Sequence, residues 1–195
     1  SHNKGKLMMT HNESRLNKYD EVAYVLDYLS SGSSQTIKGR KGVVIQSIGE
    51  DNLNLLELLG DPSAEFDIGE RLSIGKQERS KIISVLGKLE YHDLNDNSVD
   101  DLLEVIQNIV AKNETKYIDY LNNVQAVTPR LHGIELIPGV GKKSLFHLLR
   151  ARERTPFTSF DDLQIRGGLK EPSLQIAKRI IEELSGSSKI NLFVK

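Results

Sequence analysis

Residues 138–143, PGVGKK, place two glycines one residue apart and two lysines directly after them, at the start of an apolar-periodic segment. Glycine adopts backbone angles that other residues avoid, and it lets another molecule approach the main chain closely. Free amides at a helix start, together with the positive end of the helix dipole, attract anions, and lysines add point charges suited to a phosphate diester. An ordinary turn between two helices is the alternative. The predicted phosphate-binding residues are Gly139, Val140, Gly141, Lys142 and Lys143.

Two further groups of basic residues follow this turn. Arg150, Arg152 and Arg154 lie at the end of the next helical segment, where they would either contact phosphate or cap the negative end of the helix dipole. A second turn, RGGLK at 166–170, connects two helical segments but lacks the Gly-apolar-Gly pattern. If this second turn contacts phosphate, the expected donors are Arg166 and Lys170.

Residue types that support catalysis or metal binding are sparse. Cysteine is absent, which excludes disulfides, cysteine-ligated zinc and a thiol nucleophile. The five histidines show no metal-ligand spacing, and the Asp100-Asp101 and Asp161-Asp162 pairs suit helix N-termini, which favour acids. Asp161 also lies about twenty residues beyond Gly141, as in base-excision glycosylases, but the sequence shows no larger helical domain for a base-flipping pocket. We predict no catalytic activity, no cofactor and no metal.

Positive charge is concentrated in the C-terminal third of the chain. Residues 128–195 carry 12 Lys and Arg against 7 Asp and Glu, a net charge of +5. Residues 1–127 carry 14 against 20, a net charge of -6. This division indicates a polyanionic partner for the C-terminal part, with chance variation in surface charge as the alternative.

The elements that position these residues change character near residue 95. Before it, short apolar runs separated by turn residues predict β-strands, and after it the apolar period is helical. Ser98 with Asp101 is predicted to cap the first helix, and a later helix is predicted from Pro129 to Ile137. The five predicted strands are 21–29, 42–48, 53–59, 68–75 and 81–94, of which 53–59 would also suit a helix.

The segment from Ile137 to Lys143 resembles the helix-hairpin-helix motif, in which an apolar-x-Gly-apolar-Gly turn precedes a basic residue. In that family the hairpin amides hold backbone phosphates of DNA or RNA without reading the sequence. The motif often occurs in pairs, so residues 159–184 are the expected second copy. Leu145 departs from the family pattern, which usually has a small residue there, and we therefore expect different helix packing.

The strand-rich half resembles an oligonucleotide/oligosaccharide-binding barrel, a five-stranded barrel that often binds single-stranded nucleic acid. Tyr24 or Tyr91 would stack on bases in such a barrel, or would belong to its core, where strand alternation places them among aliphatic residues. The basic residues available to a binding face are Lys38, Arg40, Lys41, Arg71, Lys76, Arg79 and Lys81, and we select Arg40 and Lys41 as site residues.

Beyond about the first dozen residues, the chain as a whole resembles an archaeal family, domain-of-unknown-function family 655. Segments that carry the resemblance include YDEVAYVLDYL, GERLSIGKQERSKI, RLHGIELIPGVGKK and INLFVK. The resemblance implies a β-barrel joined to a tandem helix-hairpin-helix module and a predicted RNA-binding role. It implies no reaction.

Together these features predict an α+β multidomain protein with an N-terminal five-stranded OB-like barrel and a C-terminal all-α tandem helix-hairpin-helix domain. The expected segments are a disordered or tag-derived N-terminus at 1–16, the barrel at 17–95, connecting helices at 96–127, the tandem motif at 128–186 and a C-terminal strand or tail at 187–195. We predict a cytoplasmic, non-catalytic nucleic-acid-binding protein, with RNA favoured over DNA, ribosomal or transcription proteins as further candidate partners, and no membrane association. The alternatives are a protein-interaction scaffold and a DNA-binding repair or processing factor.

Overall fold

The computed structural model describes residues 20–29, 35–37 and 39–195, which form two compact units. One unit comprises residues up to Leu94 together with Lys195, and the other comprises Asn95–Val194. The first carries an antiparallel sheet and the second carries helices, so the predicted α+β class is confirmed. The predicted segment 1–16 and Lys38 lie outside the described residues.

A curled antiparallel sheet forms the first unit. All five predicted strands are present, and the ambiguous segment LNLLELL contains a strand, not a helix. A further short strand, Gln35–Ile37, lies between the first two predicted strands. The strands are β1 (Val22–Tyr28), β2 (Gln35–Ile37), β3 (Arg40–Gly49), β4 (Leu55–Gly60), β5 (Arg71–Ser73) and β6 (Ile82–Lys88).

Neighbouring strands follow the order β5-β1-β3-β4-β6, and β2 pairs with β3 at one side of this path. Within the described residues the two end strands, β5 and β6, do not pair with each other, so the strands form an open, curled sheet, and the OB-like barrel stays a prediction. β5 has only three residues, which pair with β1, and it offers little edge for closure. Four consecutive β1 residues, 23–26, are buried, so both faces of that strand are covered.

Five α-helices make up most of the second unit. They are α1 (Asp96–Lys112), α2 (Glu114–Asn123), α3 (Lys142–Arg154), α4 (Phe160–Gly167) and α5 (Pro172–Leu184). The predicted Ser98 cap is wrong, because Asn95 caps α1 by accepting the Ser98 amide at 2.8 Å, and Ser98 is buried in the first turn. Asparagine is among the best N-cap residues, so it starts the helix earlier than predicted. Of the helices in the described residues, none is long and apolar enough to cross a membrane.

The helix predicted from Pro129 to Ile137 is wrong. Two short strands, β7 (Ala126–Thr128) and β8 (Leu131–His132), pair around a Pro129-Arg130 turn instead. Proline favours the second position of such a turn because its φ angle is fixed. A single 3-10 turn, Gly133–Leu136, follows, and His132 Nδ1 caps it by accepting the Ile134 amide at 3.1 Å.

The last residues, 187–195, form neither helix nor strand, and a buried ion pair on α5 holds most of this tail in place. The Glu183 carboxylate accepts the backbone amides of Leu192, Phe193 and Val194 at 2.9–3.0 Å. It also accepts Arg179 Nε at 2.9 Å. The two ionic side chains are only 4% and 0% exposed, so each depends on the other for its charge partner.

Candidate nucleic-acid interface

The turn before α3 brings the predicted phosphate-binding residues together. Ile137, 1% exposed, anchors its first side, and the Val140 amide closes the turn by donating to Ile137 O at 3.2 Å. Gly139 has a φ angle of +88°, a backbone conformation that residues other than glycine rarely adopt. The left-handed angle, and not crowding, requires glycine here, since a Cβ atom would meet its nearest neighbour at 3.7 Å.

Of the predicted phosphate-binding residues, Val140 and Gly141 in the turn itself do not supply the free backbone donors. The amides of Val140 and Gly141 are both bonded inside the turn, the latter to Ser144 Oγ at 2.8 Å. Gly141 is the N-cap residue and has no side chain to cap the helix. The first-turn amides, those of Lys142, Lys143 and Ser144, have no intrahelical acceptor and therefore remain for an anion.

Lys142 and Lys143 play different parts in this arrangement. Lys142 Nζ lies 2.8 Å from Glu135 Oε1 and donates to Arg130 O at 3.0 Å, so it links α3 to the preceding 3-10 turn. This ion pair holds the pKa of Glu135 below its usual value. Within the described part of the chain, Lys143 is exposed and has no ion-pair partner. Its charge is therefore the more available of the two for a phosphate.

The three arginines of α3 also differ in whether the fold already uses their side chains. The half-buried Arg152 guanidinium donates to Leu121 O at 2.9 Å and to Val124 O at 2.8 Å, and burial lowers its pKa. It caps the end of α2, which leaves little of it for a ligand. Arg150 and Arg154 are exposed, and neither forms an ion pair with any other described residue.

The second turn is organised mainly by Arg166. Its guanidinium contacts Asp162 at 2.6 Å and 2.7 Å, donates to Thr155 O at 3.1 Å, and lies 4.9 Å from the centre of the Phe157 ring. The Arg166 side chain therefore stabilises the second turn, and its phosphate contact stays a prediction. Lys170 is exposed and remains available, but the next residue, Glu171, places an acid at the start of α5.

The Asp162–Arg166 contact predicts a local pH dependence of stability. The hydrogen bond from Arg166 lowers the pKa of Asp162 from 3.8 to about 2 in the folded chain. Because the folded pKa lies below the unfolded one, the stabilisation is present above about pH 4 and is lost as the pH falls toward about 2. We expect the melting temperature, followed by the helical circular dichroism signal, to fall less over this pH range in Asp162→Asn than in the wild type.

The matched control is Asp161→Asn, which removes an exposed carboxylate from the same helical turn. It should keep the wild-type dependence on pH. If the melting temperature of Asp162→Asn fell with pH as steeply as that of the wild type, the ion pair would not stabilise the folded state.

The candidate residues of the first unit belong to the sheet. Arg40 and Lys41 begin β3 and are exposed, opposite Ile37 and Thr36 of β2. Tyr24 is 2% exposed, burial raises its pKa to about 12, and its hydroxyl donates to Glu50. It belongs to the core, as the strand alternation indicated, and offers no ring for base stacking.

Two features of the second unit were not predicted as functional. Glu135 pairs with Lys142 across the turn, and because the two residues lie on different elements, helical periodicity does not predict this pair. Phe146, in the middle of α3, is 67% exposed. Residues 145, 148, 149 and 152 already complete a helical stripe without it, and this pattern could have indicated its exposure. In the described residues, no three His, Asp or Glu side chains lie close enough to hold a metal ion.

Comparisons with known proteins place this architecture among uncharacterized archaeal chains. A family model described as "Protein of unknown function (DUF655)" matches residues 19–195. Uncharacterized protein MJ0038 of Methanocaldococcus jannaschii is 36% identical over 180 residues, which cover 91% of this chain and 81% of that protein. The crystal structure of Af1531 from Archaeoglobus fulgidus, in the same family, is similar with a TM-score of 0.79 and 34% identity, covering 90% of this chain and all of the other.

Proposed function

The chain belongs to the family described as a protein of unknown function, DUF655, and we propose that it binds nucleic acid, RNA in preference to DNA, through α3 and the turn before it. One observation carries this proposal. Lys142 and Lys143 occupy the first two positions of α3, and the first turn of that helix contains no acidic residue.

Glu135 compensates the charge of Lys142, but the position of Lys143 is unfavourable for the helix itself. The positive end of a helix dipole favours acids by about 0.3–1 kcal/mol each and disfavours cations by a similar amount. α4 follows the ordinary rule, with Asp161 and Asp162 in its first turn. α3 breaks it, so the same unit contains both arrangements. Positive side chains beside free amides and a positive dipole are explained if a negatively charged ligand binds there.

The chemistry of the surface favours a phosphate backbone over other anions. α3 carries five basic residues and one acidic residue. Its exposed cations that have no ion-pair partner among the described residues, Lys143, Arg150 and Arg154, extend from the first turn of the helix to its last. A single carboxylate would occupy only one end of this row. A chain of phosphates could contact all of it, with counterion release adding to the affinity.

The two family resemblances support the same function. We propose that residues 133–154 form a helix-hairpin-helix variant whose first helix is reduced to the 3-10 turn. The open five-stranded path of the first unit is compatible with the OB fold, which is itself a partly open barrel. In this proposal the second hairpin, with Glu171 at its helix start, is mainly structural.

A salt titration tests this function. Fluorescence anisotropy with a labelled structured RNA, from about 50 to about 300 mM KCl, should give log affinity that falls linearly with log salt by about 0.9 per phosphate neutralised. The RNA preference comes from the family resemblance, so DNA of the same sequence and secondary structure is measured in parallel and should bind more weakly. Equal affinity for both polymers would remove RNA as the preferred ligand. Undetectable binding at the lowest salt, or binding independent of salt, would contradict the function itself.

A further inference from the structure

Phe146 presents an aromatic ring to solvent from the middle of α3. Its side chain is 67% exposed, whereas Leu145 and Leu148 of the same helix are 7% and 1% exposed. The helix therefore buries an aliphatic face and leaves this ring outside the core. A ring this exposed adds little to the buried core, so most of its apolar surface remains open to a ligand.

The residues around the ring on α3 are cationic. Lys143 lies three residues before Phe146 and Arg150 lies four residues after it, so all three share one side of the helix. Their seven-residue separation puts the two charges about 10 Å apart along the helix axis, with the ring between them. In the described part of the chain, neither cation has an ion-pair partner.

We propose that Phe146 stacks on an unpaired base while Lys143 and Arg150 hold the flanking phosphates. The inference rests on the proposed function and narrows its ligand to nucleic acid that contains unpaired nucleotides, either as a single strand or beside a duplex. Base stacking on an aromatic ring tolerates any sequence, because every base has a π face. Bases inside a duplex are already stacked on each other and do not offer that face.

The charges beside the ring favour this ligand over a protein surface. The centres of protein interfaces are depleted of lysine, and burying two unpaired cations against an apolar partner would be costly. A nucleotide provides both matching parts, a flat apolar base and a negative phosphate on each side. The surface therefore complements a nucleic-acid strand in shape and in charge.

Three RNA ligands test the inference: a blunt duplex, the same duplex with a three-nucleotide overhang carrying 2-aminopurine, and a single strand. The wild type should prefer the two ligands with unpaired bases by about 10-fold over the blunt duplex and should quench the 2-aminopurine fluorescence. Phe146→Ala should lose both the preference and the quenching while keeping its affinity for the blunt duplex. Phe146→Tyr should retain both properties, and Phe146→Leu should lose them.

Ile165→Ala is the matched control, because Ile165 is also a large exposed apolar residue, at 81%, but follows Asp161 and Asp162 on α4. It should bind all three ligands as the wild type does. Retention of the preference in Phe146→Ala or in Phe146→Leu would overturn the stacking role alone, as would equal wild-type affinity for paired and unpaired ligands. Failure of the wild type to bind any of the ligands would overturn the proposed function as well.

Discussion

Reversing the charges of Lys143 and Arg150 together is expected to weaken RNA binding by about 100-fold at roughly 0.1 M salt. Both side chains are exposed on α3, and among the described residues neither has an ion-pair partner, so each is available to a phosphate. Losing two phosphate contacts should also reduce the slope of log affinity against log salt by about two. Anisotropy titrations of Lys143→Glu/Arg150→Glu over a range of KCl concentrations measure both quantities.

Lys143 and Arg150 are a better pair to change than a pair that includes Lys142. Lys142 is bonded to Glu135, so an acid at position 142 would face another acid and disturb the turn as well as the binding surface. The matched control is Lys178→Glu/Lys189→Glu, which makes the same change in net charge with exposed lysines outside α3. It should lose much less affinity. Equal losses in the two double variants would show that overall charge, and not the α3 surface, governs binding.

Replacing Glu183 by Gln is expected to lower the free energy of unfolding of the second unit by about 3–5 kcal/mol. The substitution leaves Arg179, 4% exposed on its side chain, without its buried charge partner. It also weakens the acceptor of the Leu192, Phe193 and Val194 amides. Urea denaturation followed by circular dichroism at 222 nm reports on this unit, because the α-helices of the described chain all lie within it.

Glu182→Gln is the matched control for this prediction. Glu182 lies beside Glu183 and contacts the same arginine at 3.5 Å, but its side chain is 46% exposed. Exposed ion pairs contribute about 0–1 kcal/mol, so this variant should remain close to the wild type. If Glu183→Gln were as stable as Glu182→Gln, the buried pair would not be what holds the C-terminal tail.

Local signals in the sequence predicted several elements correctly. The five strands of the first unit follow from short apolar runs between turn residues. The Asp161-Asp162 pair indicated a helix N-terminus, and α4 does begin there, with Ser159 accepting the Asp162 amide at 3.0 Å. These features depend on residues within a few positions of each other, so a single sequence contains the information. The Pro129–Ile137 helix failed because a proline after a capping residue suits the first turn of a helix and a tight β-turn equally well.

By itself, the sequence determined the Gly-apolar-Gly turn, the lysines that follow it and the excess of basic residues in the C-terminal third. Only the tertiary structure decided which of those cations remain available to bind a phosphate. Arg152 is taken by carbonyl groups at the end of α2, Arg166 by Asp162, and Lys142 by Glu135. The partners of Arg152 and Lys142 come from other elements of the fold, and the carbonyls that hold Arg166 follow α3. Helical spacing (i,i+4) does connect Asp162 with Arg166, but no helical or strand period identifies the contacts that come from other elements. The exposure of Lys143 and Arg150 likewise depends on how α3 packs.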